Sequence, residues 1–188
     1  MADAIIETER LVLRPFCDAD LPAWIAHMNT PEVRAHLGGV DTPEKCVQRF
    51  ERQRDSWTDE NGGWLAIARR ADGELLGNCG FSPIDTEAAP EELRGASQIG
   101  WGLRADCWGR GYATEAALAL LGQMFTRWNL PVVFAQTSDA NRASWRVMEK
   151  LGMERRADLD YDDPDYPPEE NPTVVYSLTR DTWEAARG

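Results

Sequence analysis

Between Gln98 and Glu115 the chain reads QIGWGLRADCWGRGYATE, and the chemistry this stretch can do is anion binding. A short alternating apolar run (Ile99, Trp101, Leu103) leads through Ala105-Asp106-Cys107 to Trp108-Gly109-Arg110-Gly111, and a helical pattern follows. Glycine lets a ligand approach the backbone, and the first amides of a helix have no internal partner. Such a turn can hold a phosphate, with Arg110 as a mobile positive charge. The same residues also suit a plain strand-to-helix turn without a ligand, since short glycine motifs are weakly specific. A second pair of polar groups, Asn141 and Ser144, lies three residues apart on one face of a helix start. Asn141 serves equally as an N-cap or a ligand contact, and serine is unremarkable at the third helical position.

Other chemistries have little to work with. Cys17, Cys46, Cys79 and Cys107 are widely spaced with no C-x-x-C, and the two histidines are His27 and His36. Free buried thiols are expected, with no disulfide and no metal site. A net charge of −12 argues against nucleic acid. It suits a cationic acceptor, although solubility alone also accounts for it. No Lys-Ser/Thr pair follows the glycines, so a nucleotide P-loop is a poor fit. No segment is apolar enough to span a membrane, and the acidic start MADAIIETER is not a secretory signal. A cytoplasmic protein is expected. At 188 residues, 43% of them hydrophobic, one domain over residues 1–188 is expected.

The positioning elements follow from pattern and punctuation. Leu11 to Phe16 reads as a strand, Leu21 to Asn29 as a helix capped by Asp20, and Thr42-Pro43 opens a helix to Trp57 with Val47, Phe50 and Trp57 on its apolar face. Strands at 64–69 and 75–81 flank the hairpin signal Ala71-Asp72-Gly73-Glu74. A mobile loop is expected over 82–95, then a strand over 97–103. Ala117, Leu121, Met124, Phe125 and Trp128 give the next helix its buried face, with Glu115 favouring the helix dipole in the first turn. A strand at 132–135, a helix from Ala143 to Leu151 stopped by Gly152, strands at 154–159 and 173–179 and a terminal helical turn complete the chain. This order is mixed α/β, one sheet covered by helices on both faces.

WGRGYATEA resembles the acetyl-CoA pyrophosphate loop of the GNAT N-acetyltransferase superfamily, written Q/R-x-x-G-x-G/A. Gly111 and Ala113 match, while Trp108 stands where glutamine or arginine is commoner. That departure, with ETERLVLRPF, NRASWRVMEKLGM and VVYSLTRDTW, resembles the RimJ/RimL branch, named for ribosomal-protein N-terminal acetyltransferases, and covers most of the chain in order. The resemblance implies a mostly antiparallel sheet splayed between its fourth and fifth strands (97–103 and 132–135), where pantetheine would satisfy unpaired strand groups. It implies acetyl-CoA as cosubstrate, contacted by Trp101, Gly102, Leu103, Arg104, Trp108, Gly109, Arg110, Gly111, Tyr112, Ala113, Thr114, Asn141 and Ser144. It also makes Trp24, His27, Glu32, Val33 and His36 candidates for the acceptor pocket, although Trp24 and Val33 equally suit the core and the histidines the surface.

The implied reaction is direct attack by a primary amine on the thioester. An amide near Trp101 or Gly102 would stabilise the oxyanion, worth about 3 kcal/mol. Ser144 would donate to the departing thiolate, and Asn141 would hold the acetyl or pantetheine region. Relatives carry a glutamate beside the isoleucine-glycine pair, but here the residue is Gln98, which cannot take a proton usefully. An α-amine of pKa about 8 is about a tenth neutral at pH 7, whereas a lysine is neutral in fewer than about one molecule in a thousand. A protein or peptide N-terminus therefore needs the least help, with Glu32, Asp85 or an acid of the 160–170 loop as a relay through water. That loop either attracts a cationic acceptor or is a solvated connection. The alternatives are an enzyme for small amines, such as amino sugars or polyamines, and a non-catalytic acyl-CoA-binding module, for which Gln98 is the main support. Either a monomer or a homodimer is compatible with the sequence.

Overall fold

The computed structural model describes residues 4–187; Met1, Ala2, Asp3 and Gly188, part of the expected 1–188 domain and of the start read for a signal, lie outside them. Among the described residues eight strands run in the hydrogen-bonded order β1-β2-β3-β4-β5-β6-β8-β7, a mostly antiparallel sheet, as expected. Their ranges are β1 Ile6–Glu7, β2 Leu11–Arg14, β3 Trp64–Arg69, β4 Leu75–Pro83, β5 Ser97–Leu103, β6 Val132–Ser138, β7 Glu154–Arg155 and β8 Thr173–Thr179. The helices are α1 Leu21–Met28, α2 Pro31–Arg34, α3 Pro43–Ser56, α4 Tyr112–Thr126, α5 Arg142–Lys150 and α6 Arg180–Ala185. Contacts divide the chain into two compact units, one of residues up to Phe81 with Trp101–Leu120, the other of Ser82–Gly100 with residues from Leu121 onward.

In the first unit β1 and β2 form a hairpin, with Ile6 opposite Leu13, that the sequence reading missed because a two-residue strand has no period to detect. β2 pairs with β3 and β3 with β4, all antiparallel. Alternation sends Leu11 and Leu13 inward, both fully buried. Phe16, Trp24, Met28, Cys46, Phe50, Ala66 and Leu75 form the core between the strands and α1 and α3. The expected first strand stops at Arg14, because the chain turns there. Arg14 is bidentate to Asp20 at 2.7 and 2.7 Å, and the Cys17 amide donates to the same carboxylate at 2.9 Å. Asp20 thus holds this turn and makes no side-chain cap on α1, contrary to the sequence reading. Cys46 and Phe50, one helical turn apart, supply the buried face of α3, whereas Val47 is half-buried and Trp57 lies past the helix end.

In the second unit β6 and β8 pair along their whole length, from Val132 opposite Thr179 to Ser138 opposite Thr173. The parallel partnership of β5 with β6 registers, among the described residues, at Gln98 opposite Phe134, so the two strands share a short ladder as the splayed sheet requires. The segment read as a mobile loop is tied down instead. Ile84, Ala89 and Leu93 are buried beside Phe134, Leu159 and Val175, and the Arg94 guanidinium donates to the carbonyls of Ala89 and Glu87 at 2.8 and 2.9 Å. The strand expected over 154–159 shortens to β7, and Ala157–Leu159 turns as a 3-10 helix that buries Leu159.

Burial alone would raise the Asp20 pKa, but the Arg14 guanidinium and the Cys17 amide outweigh it and hold the carboxyl below its ordinary value. Its contribution is therefore complete above about pH 4 and is lost as pH falls through the folded value. Asp20→Ala, which strands a largely buried guanidinium, is expected to cost about 3 kcal/mol in urea unfolding at pH 7. Its stability should also fall less steeply than the wild type's below about pH 4.

Candidate active site

β5 carries the first candidate residues to the end of its strand because β4 lets it come close. A Cβ at Gly77 would lie 2.0 Å from the Gly102 carbonyl oxygen, and one at Gly102 would lie 2.7 Å from Asn78 Oδ1. Neither position admits a side chain without movement, so glycine at both sets the spacing. Asn78 is buried and donates to Gln53 Oε1 of α3 at 2.8 Å, which fixes the polar wall beside Gly102. Trp101 and Gly102 are half-buried and Leu103 is buried. Arg104 is also buried, and its guanidinium is taken up by Asp106 at 2.7 Å and Glu74 at 2.6 Å while its amide donates to Leu76 at 2.9 Å. Its charge is neutralised within the protein.

After Arg104 the chain makes a 3-10 turn over Ala105–Cys107, and the Trp108 indole N–H donates back to the Leu103 carbonyl at 2.9 Å. Gly109 and Gly111 adopt φ of +74° and +80°, a left-handed backbone that favours glycine. The helical ladder of α4 starts when the Glu115 amide bonds the Gly111 carbonyl at 3.0 Å. The amides of Tyr112, Ala113 and Thr114 precede that bond and, as first-turn donors, have no helical acceptor. Gly109, Arg110 and Gly111 are exposed. An exposed run of amides beside a helix N-terminus fits a diphosphate.

The back of this loop is held by a residue that the sequence reading passed over. Arg10, in the turn between β1 and β2, donates Nη1 to the Arg110 carbonyl at 3.0 Å. Its Nε and Nη2 each lie 2.6 Å from Glu115 Oε2, and its guanidinium sits 4.7 Å from the centre of the Tyr112 ring. Glu115 Oε1 accepts from Thr8 Oγ1 at 2.6 Å and from the Arg10 amide at 3.0 Å. Burial pushes the Glu115 carboxyl up, but Thr8 and Arg10 hold it below its ordinary range. The signal was present as the paired Thr8 and Arg10 of ETERL, but nothing local says what they meet about a hundred residues on.

Of the acceptor candidates in this unit, Trp24 is a core residue, edge-on to Phe16 at 5.6 Å and tilted against Phe50 at 6.0 Å. Val33 packs against the same cluster. Glu32 is exposed, and its own amide and the Thr30 hydroxyl hold its carboxyl below the ordinary range. His27 and His36 are half-buried.

In the second unit Asn141 caps α5, its Oδ1 accepting from the Ser144 amide at 3.3 Å while Nδ2 donates to Thr137 Oγ1 at 3.0 Å. The cap reading therefore holds. Ser144 is half-buried, and among the described residues no partner is seen for its hydroxyl, which leaves it able to donate to a ligand. Asp85 is exposed and Gln98 half-buried. In the acidic loop Asp160 is bonded by Arg155 at 2.6 Å and by the Val175 amide at 3.2 Å, and Asp163 accepts from the Asp165 amide at 3.0 Å. Among the described residues no cluster of three His, Cys, Asp or Glu is placed to hold a metal ion, and no helix is long and apolar enough to cross a membrane. Cys17, Cys46, Cys79 and Cys107 are free thiols, and burial pushes Cys79 up to about 12.

A strand delivered to a glycine loop, with donors waiting at a helix start, is an arrangement suited to an anionic ligand. The family profile described as an acetyltransferase (GNAT) domain matches residues 10–154, so the chain belongs to the GNAT family and is an acetyl-CoA-dependent N-acetyltransferase. It is 27% identical over 158 residues to the uncharacterized N-acetyltransferase p20 of Bacillus licheniformis, covering 82% of this chain and 85% of p20. The crystal structure of an acetyltransferase from Agrobacterium tumefaciens is 30% identical, with a TM-score of 0.76 and coverage of 96% of each chain. Two more distant structures share the fold. Aminoglycoside acetyltransferase AAC(6')-Ib with coenzyme A is 21% identical, at a TM-score of 0.75 over 95% of this chain and 99% of that one. RimL, a ribosomal L7/L12 α-N-protein acetyltransferase with coenzyme A, is 16% identical, at 0.74 over 96% and 99%. Membership of a catalytic family displaces the non-catalytic binding module considered from Gln98.

Gly109→Asp tests the loop without a steric clash, because a Cβ there meets nothing within 4 Å, although the φ of +74° strains any side chain. The new carboxylate and the strained φ are expected to weaken coenzyme A, measured by calorimetric titration, by about tenfold or more.

Proposed function

We propose that this enzyme acetylates the α-amine of a protein or peptide N-terminus, as a cytoplasmic member of the RimJ/RimL branch, with residues 1–188 forming a single domain that acts as a monomer or homodimer. In this proposal the amides of residues 109–114 and the Arg110 side chain hold the diphosphate. Trp101 to Arg104, with Trp108, flank the donor, and an amide near Trp101 or Gly102 receives the oxyanion. The neutral amine nitrogen bonds to the thioester carbon and gives up its extra proton to water, the carbon–sulfur bond breaks, and the thiolate takes a proton from water directly or from the Ser144 hydroxyl, which water then reprotonates. Asn141 orients Ser144 by capping its amide. Trp24, Glu32, His36 and Asp85 are the proposed acceptor-side residues, Trp24 through the packing of α1.

One observation carries the choice of acceptor. Every carboxyl group whose pKa is shifted among the described residues, Glu32 and Glu115 included, is shifted down. A lowered carboxylate is a weak base, and Gln98 is none at all, so the chemistry favours an amine that loses its own proton readily. An α-amine of pKa about 8 does so, whereas a lysine does not. A small-molecule amine is the second reading, favoured by the net charge of −12 and by the acidic 160–170 loop. Amino sugars with a lowered amine pKa meet the same chemical requirement.

Release of coenzyme A thiol over a panel of N-terminal peptides, their Nα-blocked lysine counterparts, aminoglycosides and polyamines decides between them. Turnover confined to free N-termini is expected, with kcat/KM rising with pH and levelling near the acceptor's own pKa of about 8. Activity on aminoglycosides or polyamines alone would select the second reading. Ser144→Ala is expected to lower kcat by less than about tenfold, because a thiol of pKa about 8.5 departs tolerably without full protonation.

A further inference from the structure

We propose that Arg10 is a positioning residue that aims the Gly111 amide at the diphosphate of the acyl donor, and that Glu115 and Thr8 hold Arg10 for this purpose. The inference rests on reading residues 109–114 as the diphosphate loop. It concerns how that loop keeps its shape.

In a trans peptide the carbonyl and the following N–H point in opposite directions. The Arg110 carbonyl is held by Arg10 Nη1 on the inner side of the loop. The Gly111 N–H, in the same peptide plane, therefore points away from Arg10. Left alone this peptide would turn over readily, because one of the two torsions that change is φ of Gly111, a glycine at +80° that can also adopt negative values. Arg10 also backs the loop directly, since its Nη2 lies 3.5 Å from where a Gly111 Cβ would be.

The arrangement is elaborate for the folding stability it can supply. The Arg10 side chain is 44% exposed, and exposed ion pairs contribute little to stability. Yet its guanidinium engages Glu115, the Arg110 carbonyl and the Tyr112 ring together. Glu115 neutralises Arg10, so Arg10 itself is a poor phosphate ligand and Arg110 remains the exposed cation. Arginine reaches the carboxylate through Nε and Nη2 and the carbonyl through Nη1, a planar spacing that the single nitrogen of lysine, although it has three donors, does not reproduce.

The test compares acetyl-CoA with S-acetylpantetheine, which carries the same thioester without the diphosphate. Arg10→Met is expected to raise KM for acetyl-CoA about tenfold with kcat nearly unchanged, the scale of one lost charge-assisted hydrogen bond, and to leave kcat/KM for S-acetylpantetheine within about twofold. Arg10→Lys should behave like Arg10→Met, and Thr8→Val should move in the same direction by less. Should Arg10→Met lower both donors equally, or leave acetyl-CoA untouched, the positioning role is wrong. Rescue of KM by Arg10→Lys would overturn it too, since charge alone would then suffice. The loop reading fails separately: a wild-type enzyme that uses both donors equally well gains nothing from the diphosphate. Thr8→Val and Arg10→Lys keep the proposal falsifiable should Arg10→Met fold poorly.

Discussion

The constraint on which the site depends is that helix α4 begins with amides it cannot satisfy. Its ladder opens at Glu115, so the N–H groups of the preceding turn need an acceptor from elsewhere. Many helices meet this need with an N-capping side chain, as Thr42 does for α3 by accepting from the Lys45 amide at 3.4 Å and Asn141 does for α5. At α4 the residues ahead of the helix are Gly109, Arg110 and Gly111, none of which carries a capping oxygen. The unmet donors lie in half-buried Tyr112, Ala113 and Thr114 behind an exposed glycine loop, a place where an anionic ligand can serve as acceptor. Helices α2, α3, α5 and α6 are capped by their own side chains, so α4 shares its lack of a side-chain cap with α1 and differs from it in the glycine loop ahead of it.

Much of the first unit can be understood as a mount for that turn. β4 and β5 approach until glycine is required at both Gly77 and Gly102, and this close pairing sets where β5 ends. Arg104 then anchors the chain immediately after the strand, gripped by Asp106 locally and by Glu74 from the β3–β4 hairpin. The Trp108 indole ties back to Leu103. From the other side, the β1–β2 turn supplies Thr8 and Arg10 to the start of α4. The loop is thus fixed at its entry, its middle and its exit, although its residues at 109–111 are exposed. A preorganised loop spends little conformational entropy on binding, which raises affinity without new ligand contacts.

How much of this was legible in the chain varies with the range of the interaction concerned. β5 and β8 were read at their observed limits, because alternating apolar residues bounded by glycine, proline or charge are a local signal. The glycine loop and the Asn141 cap were legible for the same reason. The β1–β2 hairpin was not, since its strand pairs two residues and its purpose lies in a contact with Glu115, 105 positions away. Arg104 was read as a cofactor contact from its place in the motif, and Glu74, 30 positions earlier, gives no hint of the pairing. Leu159 was placed at the end of a strand over 154–159. The structure shows that a 3-10 turn can bury the same residue. The 82–95 segment was misread for the opposite reason, its polar composition hiding three buried anchors.

The direction of the carboxyl shifts bears on how such an enzyme would work at all. General-base catalysis by a carboxylate calls for a group raised toward neutrality, through burial without a cationic partner. Here Asp20 is matched to Arg14, Glu115 to Arg10 and Thr8, and Asp41 to Arg49 and Arg34, whereas buried Glu170 keeps an Oε2 with no hydrogen-bond partner. Each partnership stabilises the charged form and removes the carboxylate from proton transfer. In the proposed mechanism, catalysis then rests on holding the thioester still, presenting backbone donors to the oxyanion and admitting an amine that is already partly neutral. Such a site gains little specificity from basicity and must select its acceptor by shape and charge. The proposed preference for N-termini follows from the acceptor's own acidity.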